Sequence, residues 1–99
     1  MKTMTVNEVE KQLAARVKLN IIDVREADEV KEGKIASAIH IPLGLIEFRM
    51  HELDKTQEYV MVCRSGNRSG LAERFLEGQG FSVINMLGGM MNWEGPLDY

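Results

Sequence analysis

The sequence predicts an α/β fold: a single three-layer domain with a mostly parallel central sheet of four to five strands and helices on both faces. Short runs of β-branched and apolar residues alternate along the chain with segments whose apolar residues recur at helical spacing. In these runs apolar residues stand at successive positions rather than only at alternate ones, which is typical of parallel strands buried on both faces. A length of 99 residues suits one core, so we expect residues 1–99 to form one domain.

The first predicted elements are a helix over residues 6–16 and a strand over residues 20–24. Thr5 and Glu8 have the spacing of a capping box, which marks the start of the helix. The strand reads Asn-Ile-Ile-Asp-Val and is rich in β-branched residues. Residues 2–4 could add an edge strand.

The middle of the chain predicts a short helix, a second strand and a further helical stripe. Acidic residues over 26–29 favour the first turn of the short helix, and Gly33 can end it in the left-handed conformation. Residues 38–42 predict a strand that is stopped by Pro42. A helical stripe then begins at Ile46 and continues through Met50 and Leu53.

The second half of the chain repeats the strand and helix pattern. Residues 59–63 predict a third buried strand, and a helix that starts near residue 68 ends at Gly78 or Gly80. On this helix we expect an apolar face of Leu71, Ala72, Phe75 and Leu76, with Glu73, Arg74 and Glu77 turned outward. Residues 81–86 form the last predicted strand, and a closing segment runs through Trp93, whose indole N–H should find a carbonyl.

Composition and charge exclude several classes of protein. Twelve Lys and Arg against 15 Asp and Glu give a net charge of −3, the wrong sign for a nucleic-acid partner. No secretory signal or bilayer-spanning segment is visible, so we expect a cytoplasmic protein that does not contact membranes. The single cysteine, Cys63, allows no internal disulfide and no cysteine-rich metal site, and His40 and His51 lack ligand spacing, so we expect no bound metal.

Cys63 is the candidate nucleophile because of its place at the end of a strand and the loop that adjoins it. Ligand sites of α/β sheets form at the carboxyl ends of strands. The next residues, Arg64, Ser65, Gly66, Asn67, Arg68 and Ser69, are small or cationic and enter a helix. Backbone N–H groups that converge in such a turn, with the helix N-terminus, bind anions and stabilise a thiolate. A lone cysteine is more often a small core residue, and the flanking loop favours the reactive interpretation.

The loop of residues 63–69 resembles the active-site loop of rhodaneses, sulfurtransferases that carry sulfur as a cysteine persulfide. Residues 22–26 are similar to the Asp-Val-Arg element of that family. Residues 33–42 are similar to its Gly-His-Ile-x-Gly-Ala-x-Asn-Ile-Pro element, with Lys34 in place of the usual His and Ser37 in place of the usual Gly. Residues 88–93 match its closing Gly-Gly and Trp.

This resemblance implies a single-domain sulfurtransferase of the thiosulfate:cyanide type. Cys63 would take sulfur from a small donor, thiosulfate or a persulfide, and pass it to a thiol acceptor, such as a thioredoxin-like protein, or to cyanide. The loop amides would stabilise the persulfide, and no cofactor is required. Arg64 and Arg68 either hold the anionic donor or fix the loop by pairing with Asp23 or Glu26. We expect a monomer or a weak homodimer.

Two other functions remain open at this point. A domain of this type can act as a non-catalytic binding module, although the intact loop around Cys63 argues against that role. A cysteine-dependent phosphatase or arsenate reductase is less favoured, because those loops place one more residue between the cysteine and the arginine. The shorter ring suits a single sulfur better than a tetrahedral oxyanion.

Three further positions have a simpler interpretation. We expect Asp23 to form a structural ion pair rather than to take part in catalysis. Met90 and Met91 come after the Gly-Gly pair near the predicted pocket, where they either pack as core or lid or offer an adaptable apolar surface to a thiol-bearing partner.

Overall fold

A computed structural model describes residues 2–99 and contains one five-stranded sheet, in which every strand pairing is parallel. The strand order is β1-β5-β4-β2-β3, so β4 lies at the centre. The strands are β1 (Lys2–Thr5), β2 (Asn20–Asp23), β3 (Ile39–His40), β4 (Glu58–Val62) and β5 (Ser82–Leu87). The predicted α/β class, the parallel sheet and the edge strand at the N-terminus are therefore confirmed.

Four α-helices connect the strands: α1 (Val6–Ala14), α2 (Ala27–Val30), α3 (Ile46–Arg49) and α4 (Asn67–Gly78). The capping box predicted for α1 is present, since Glu8 N–H donates to Thr5 Oγ1 and Thr5 N–H donates to the Glu8 carboxylate, both at 3.1 Å. Short 3₁₀ turns cover Leu43–Leu45, Met50–Glu52 and Met90–Asn92. At residue 33, a φ of +128° ends the α2 segment as predicted for a glycine.

The sheet is buried on both faces, by a separate apolar core on each side. One core joins the sheet to α3 and α4 and includes Ile46, Ala72 and Leu76. The other joins it to α1 and to the C-terminal segment and includes Val6 and Val9, with Trp93 packed against it. Because successive strand residues point to opposite faces, one apolar run supplies both cores. The predicted three layers are confirmed.

Two predictions about helices are wrong. The stripe of Ile46, Met50 and Leu53 is not one helix, because α3 has four residues and lies between two 3₁₀ turns. On α4, Leu71 is 51% exposed and Glu73 is 0% exposed, the reverse of the prediction. The face of α4 that the sheet covers is rotated relative to the stripe that hydrophobicity alone selects.

The two edges of the sheet differ in length and in charge. The strand β3 has only two residues, and its partner is β2. At the other edge, β1 begins at Lys2, whose ammonium lies 2.9 Å from the Glu58 carboxylate. Within residues 2–99, none of the helices has the length and apolar character that a membrane crossing needs.

Candidate active site

Cys63 comes directly after the carboxyl end of the central strand β4. The residue is 0% exposed and belongs to the core that α3 and α4 cover. The strands on either side of β4 are β5 and β2, and their carboxyl ends lie at the same end of the sheet because all three strands run parallel. The sequence-predicted nucleophile therefore lies where parallel sheets place their ligand sites.

The loop after Cys63 folds back over the sulfur before α4 begins at Asn67. The Gly66 N–H donates to Cys63 Sγ at 3.0 Å, and Ser69 Oγ lies 3.3 Å from the same sulfur. Gly66 has a φ of +104°, a backbone conformation that glycine adopts without a steric penalty. The tight turn that the sequence predicted brings a backbone donor and a hydroxyl to one atom.

These contacts shift the pKa of the Cys63 thiol. Burial has the largest single effect and raises the pKa, because it removes the thiolate from water. Hydrogen bonds from the Ser69 side chain and from the backbone of Ser69, Gly66 and Ser65 act in the other direction and outweigh burial. The net pKa lies below the ordinary value of a cysteine, so the loop favours the nucleophilic form of the sulfur.

Asn85 is a member of the site that the sequence analysis did not identify. It lies on β5, is buried, and accepts a hydrogen bond from Ser69 Oγ at 2.6 Å. Its side-chain Nδ2 donates to the Gly66 carbonyl at 3.2 Å. An amide in the middle of an otherwise apolar strand was the available signal, because a buried polar group requires partners.

The side chain of Arg68 is paired with a carboxylate of the same chain. Its guanidinium forms two hydrogen bonds to the Glu29 carboxylate, at 2.6 and 2.7 Å, and these bonds are the main reason that the pKa of Glu29 is lowered to about 2. The expected partners Asp23 and Glu26 are therefore not the ones observed, and Glu29 ties α2 to the start of α4. Asp23 instead pairs with Arg25 at 2.8 Å, which confirms its structural role.

Arg64 is exposed and has no side-chain hydrogen bond to any of residues 2–99. It lines a cavity of about 440 Å³ whose lining also includes Met90 and Met91, the cation of Arg25, and the three acidic residues Asp28, Glu29 and Glu32. Cys63 does not line this cavity, and Arg64 is the residue of the 63–69 loop that does. Of the two loop arginines, Arg64 is the one available to an anion from outside.

The loop is also fixed from the C-terminal side. Met90 N–H donates to the Cys63 carbonyl at 2.8 Å, and Met91 N–H donates to the Arg64 carbonyl at 3.0 Å. The chain approaches so closely that a Cβ on Gly89 would lie 2.6 Å from Ser65 N. The Gly-Gly pair that carried part of the resemblance therefore allows the 90–92 turn to contact the loop.

The remaining predicted positions lie at the surface or in structural roles. Ser65 and Asn67 are exposed at the tip of the loop. His40 Nε2 lies 2.7 Å from the Arg25 carbonyl, and Trp93 Nε1 donates to the Pro96 carbonyl at 3.1 Å, as expected for that indole. Across residues 2–99, no group of three or more His, Cys, Asp and Glu side chains is arranged to hold a metal ion.

Known proteins resemble this chain in sequence and in structure. The family model "Rhodanese-like domain" matches residues 5–96. The "Putative sulfurtransferase YtwF" of Bacillus subtilis is 45% identical over 95 residues, which cover 96% of this chain and 92% of that protein. A "Sulfurtransferase" of Allochromatium vinosum is 36% identical over 94 residues, covering 89% of this chain and 88% of its relative. The crystal structure of a rhodanese-like domain protein from Staphylococcus aureus matches with a TM-score of 0.93 at 32% identity, over 99% of this chain and 97% of that one.

Proposed function

The chain belongs to the rhodanese-like domain family, whose relatives include proteins named as sulfurtransferases, and from this premise we propose that it carries sulfane sulfur on Cys63 as a persulfide. The observation that supports the proposal most strongly is the pair of contacts at the sulfur, from Gly66 N–H at 3.0 Å and Ser69 Oγ at 3.3 Å. The Gly66 N–H favours a thiolate at the end of the central strand, and the Ser69 hydroxyl does so when it donates to the sulfur. A thiolate is the nucleophile that this chemistry requires.

In the first step, the Cys63 thiolate attacks the outer sulfur of a donor. With thiosulfate, a bond forms between Cys63 Sγ and that sulfur while the sulfur–sulfur bond of thiosulfate breaks, and sulfite leaves with the bonding electron pair. The total charge is conserved, because sulfite leaves as a dianion with the pair of the broken bond, and the outer sulfur keeps its negative charge in the persulfide. Loop amides that face this sulfur stabilise the charge in the same way as an oxyanion hole.

In the second step, an acceptor removes the outer sulfur. A thiolate or cyanide attacks it, the bond to Cys63 Sγ breaks, and Cys63 returns to the thiolate form. The chain has one cysteine, so no second thiol of its own can resolve the persulfide. We propose an external thiol acceptor, such as a thioredoxin-like protein, as the partner.

Arg64 is the residue that we propose to hold an anionic donor such as thiosulfate. It is exposed, and its guanidinium is not engaged by any of residues 2–99, whereas Arg68 is occupied by Glu29. A guanidinium binds oxyanions through a planar pair of donors. Our further proposals are that the chain acts in the cytoplasm without a nucleic-acid partner and as a monomer or weak homodimer.

The proposal is tested by intact mass after treatment with thiosulfate, with and without cyanide. We expect a gain of about 32 Da, one sulfur atom, that cyanide removes. Cys63→Ser should abolish the gain, whereas Ser82→Ala, a change on β5 away from the loop, should retain it. Parallel treatment with glutathione persulfide separates the choice of donor from the chemistry.

Failure to gain sulfur from either donor, with a reduced and alkylatable Cys63, would refute the sulfurtransferase proposal. Partner binding that survives Cys63→Ser would then support a binding module. Cys63-dependent hydrolysis of an aryl phosphate without sulfur transfer would support a phosphatase instead. Each outcome depends on the same purified protein and the same Cys63→Ser variant.

A further inference from the structure

We propose that Asn85 is a positioning residue for sulfur transfer, because its one side-chain amide accepts the hydrogen bond of the Ser69 hydroxyl and donates to the carbonyl of Gly66. The Ser69 hydroxyl and the Gly66 N–H are two of the groups that contact the Cys63 sulfur, beside the backbone of Ser65 and Ser69. The inference rests on the proposed function only in that Cys63 is the reacting sulfur. It concerns which hydrogen bonds that sulfur receives in each of its states.

The orientation of the Asn85 amide is fixed by its partners. The Gly66 carbonyl can only accept, so the group that faces it at 3.2 Å must be the Asn85 Nδ2 donor. The other end, Asn85 Oδ1, can only accept and lies 2.6 Å from Ser69 Oγ. Asn85 is 5% exposed, so water cannot readily replace either partner. Rotating the amide by half a turn would place two acceptors together at Gly66.

A serine hydroxyl has one proton, and two acceptors compete for the proton of Ser69. While Cys63 is a thiol, the Sγ–H donates to Ser69 Oγ, and the Ser69 proton goes to Asn85 Oδ1. When Cys63 loses its proton to solvent, its thiolate can accept a hydrogen bond from the Ser69 hydroxyl only if the short hydrogen bond from Ser69 to Asn85 breaks. Asn85 therefore opposes ionisation through Ser69 and supports it through Gly66, whose N–H faces the sulfur.

The competition ends when Cys63 carries an outer sulfur. In the persulfide, the negative charge lies mainly on the outer sulfur, one bond further from Ser69, and Sγ is a neutral divalent sulfur. The Ser69 hydroxyl can then donate to Asn85 Oδ1 again, because Sγ no longer carries the negative charge that needs a donor. We infer that Asn85 favours the loaded form of the site over the free thiolate.

Charged groups beside the loop provide the background against which this effect must be measured. Arg68 is paired with Glu29, and Arg25 is paired with Asp23. Arg64 is the remaining cation of the loop. None of the variants used below alters these five residues, so a change in the titration of Cys63 cannot come from a lost ion pair among them.

The test is the pH dependence of Cys63 alkylation by iodoacetamide, monitored by intact mass in Asn85→Leu, Asn85→Asp, Ser69→Ala and the Asn85→Leu/Ser69→Ala double variant. Leu keeps the branched shape of Asn but cannot accept the Ser69 proton. We expect Asn85→Leu to shift the alkylation midpoint to lower pH by about 0.5 unit more when Ser69 is present than in the Ser69→Ala background. That coupling corresponds to about a threefold change in thiolate at neutral pH.

Asn85→Asp provides an independent arm, because Asp keeps the shape and the acceptor but replaces the donor to Gly66 with a negative charge. We expect it to raise the midpoint by one unit or more, which corresponds to about a tenfold loss of thiolate at neutral pH. Asn20→Asp is the matched control: Asn20 also donates its amide to a backbone carbonyl, that of Glu58 at 3.1 Å, but at the amino end of the strands. We expect its midpoint to be unchanged.

Additive midpoints in the double variant would overturn the role of the Ser69 proton, and an Asn85→Asp midpoint equal to that of Asn20→Asp would overturn the role of Asn85 altogether. Thermal unfolding of each variant confirms that the fold is retained, and Asn85→Asp remains informative if Asn85→Leu does not fold. Alkylation needs no sulfur donor. A coupled titration in a protein that forms no persulfide would therefore retain the inference and refute the proposed function.

Discussion

Gly89→Ala is the substitution with the most specific predicted effect on both the fold and the reactive loop. A Cβ at this position would lie within contact distance of the Arg64 carbonyl group and 2.6 Å from Ser65 N, whereas ordinary contacts begin at 3.4 Å. These neighbours are backbone atoms and cannot rotate away. Gly89 also has φ +65° and ψ −172°, a region that is essentially restricted to glycine.

The cost arises from the contacts that must change. Backbone strain at Gly89 contributes about 1–3 kcal/mol. The hydrogen bonds from Met90 N–H to Cys63 O and from Met91 N–H to Arg64 O contribute about 1 kcal/mol each if both are lost. We therefore expect Gly89→Ala to lower the free energy of unfolding by about 3–5 kcal/mol. The loop must move by about 1 Å, which should slow sulfur transfer roughly 100-fold.

Urea unfolding monitored by the fluorescence of the single tryptophan, Trp93, measures the stability, and thiocyanate formation from thiosulfate and cyanide measures the transfer. Gly78→Ala is the control, because nothing lies within 4 Å of its added Cβ and the position is helical. We expect that control to be neutral or stabilising by up to about 1 kcal/mol. If Gly89→Ala retains both wild-type stability and wild-type transfer, the predicted backbone contact is refuted.

Three further predictions concern charged residues. Arg64→Ala should raise KM for thiosulfate roughly tenfold with little effect on the cyanide step, and equal losses in both steps would contradict donor binding by Arg64. Arg25→Met should lower the free energy of unfolding by about 3–5 kcal/mol, because it leaves the fully buried Asp23 carboxylate without its cation. Adding Asp23→Asn to the same chain should restore part of that free energy, as measured by urea unfolding. Burial and the neighbouring Glu77 raise the pKa of Glu73, so its charged form lowers the stability of the fold as pH rises above about 4.5. Glu73→Gln should therefore stabilise the protein by about 1 kcal/mol at pH 7 and have no effect near pH 4. A gain in urea unfolding that does not vary with pH would refute this cause.

Local patterns in the sequence were sufficient to predict most of the fold. The strands β2, β4 and β5 arise from β-branched apolar runs, and the start of α1 arises from the Thr5 and Glu8 capping box. The position of Cys63 at the end of β4 has the same basis, because a strand that ends before a glycine-containing turn leads into a helix. These features depend on residues within a few positions of one another.

The errors and omissions involve contacts between residues that are distant along the chain. The pairing of Arg68 with Glu29 spans 39 positions, and that of Ser69 with Asn85 spans 16. Both depend on the register of β2, β4 and β5, which no single segment encodes. The burial of Glu73 has the same origin, since the rotation of α4 is determined by the sheet that it covers.

The edges of the sheet have a consequence for self-association. An exposed edge strand offers unpaired N–H and C=O groups to another chain and is a site of aggregation. Here one edge, β3, is only two residues long, and the other, β1, begins with the charged Lys2. A short strand gives an incoming chain few backbone partners, and a lysine must lose its solvation and its contact with Glu58 when a second strand docks beside it. The fold therefore disfavours open-ended growth of the sheet through both of its edges.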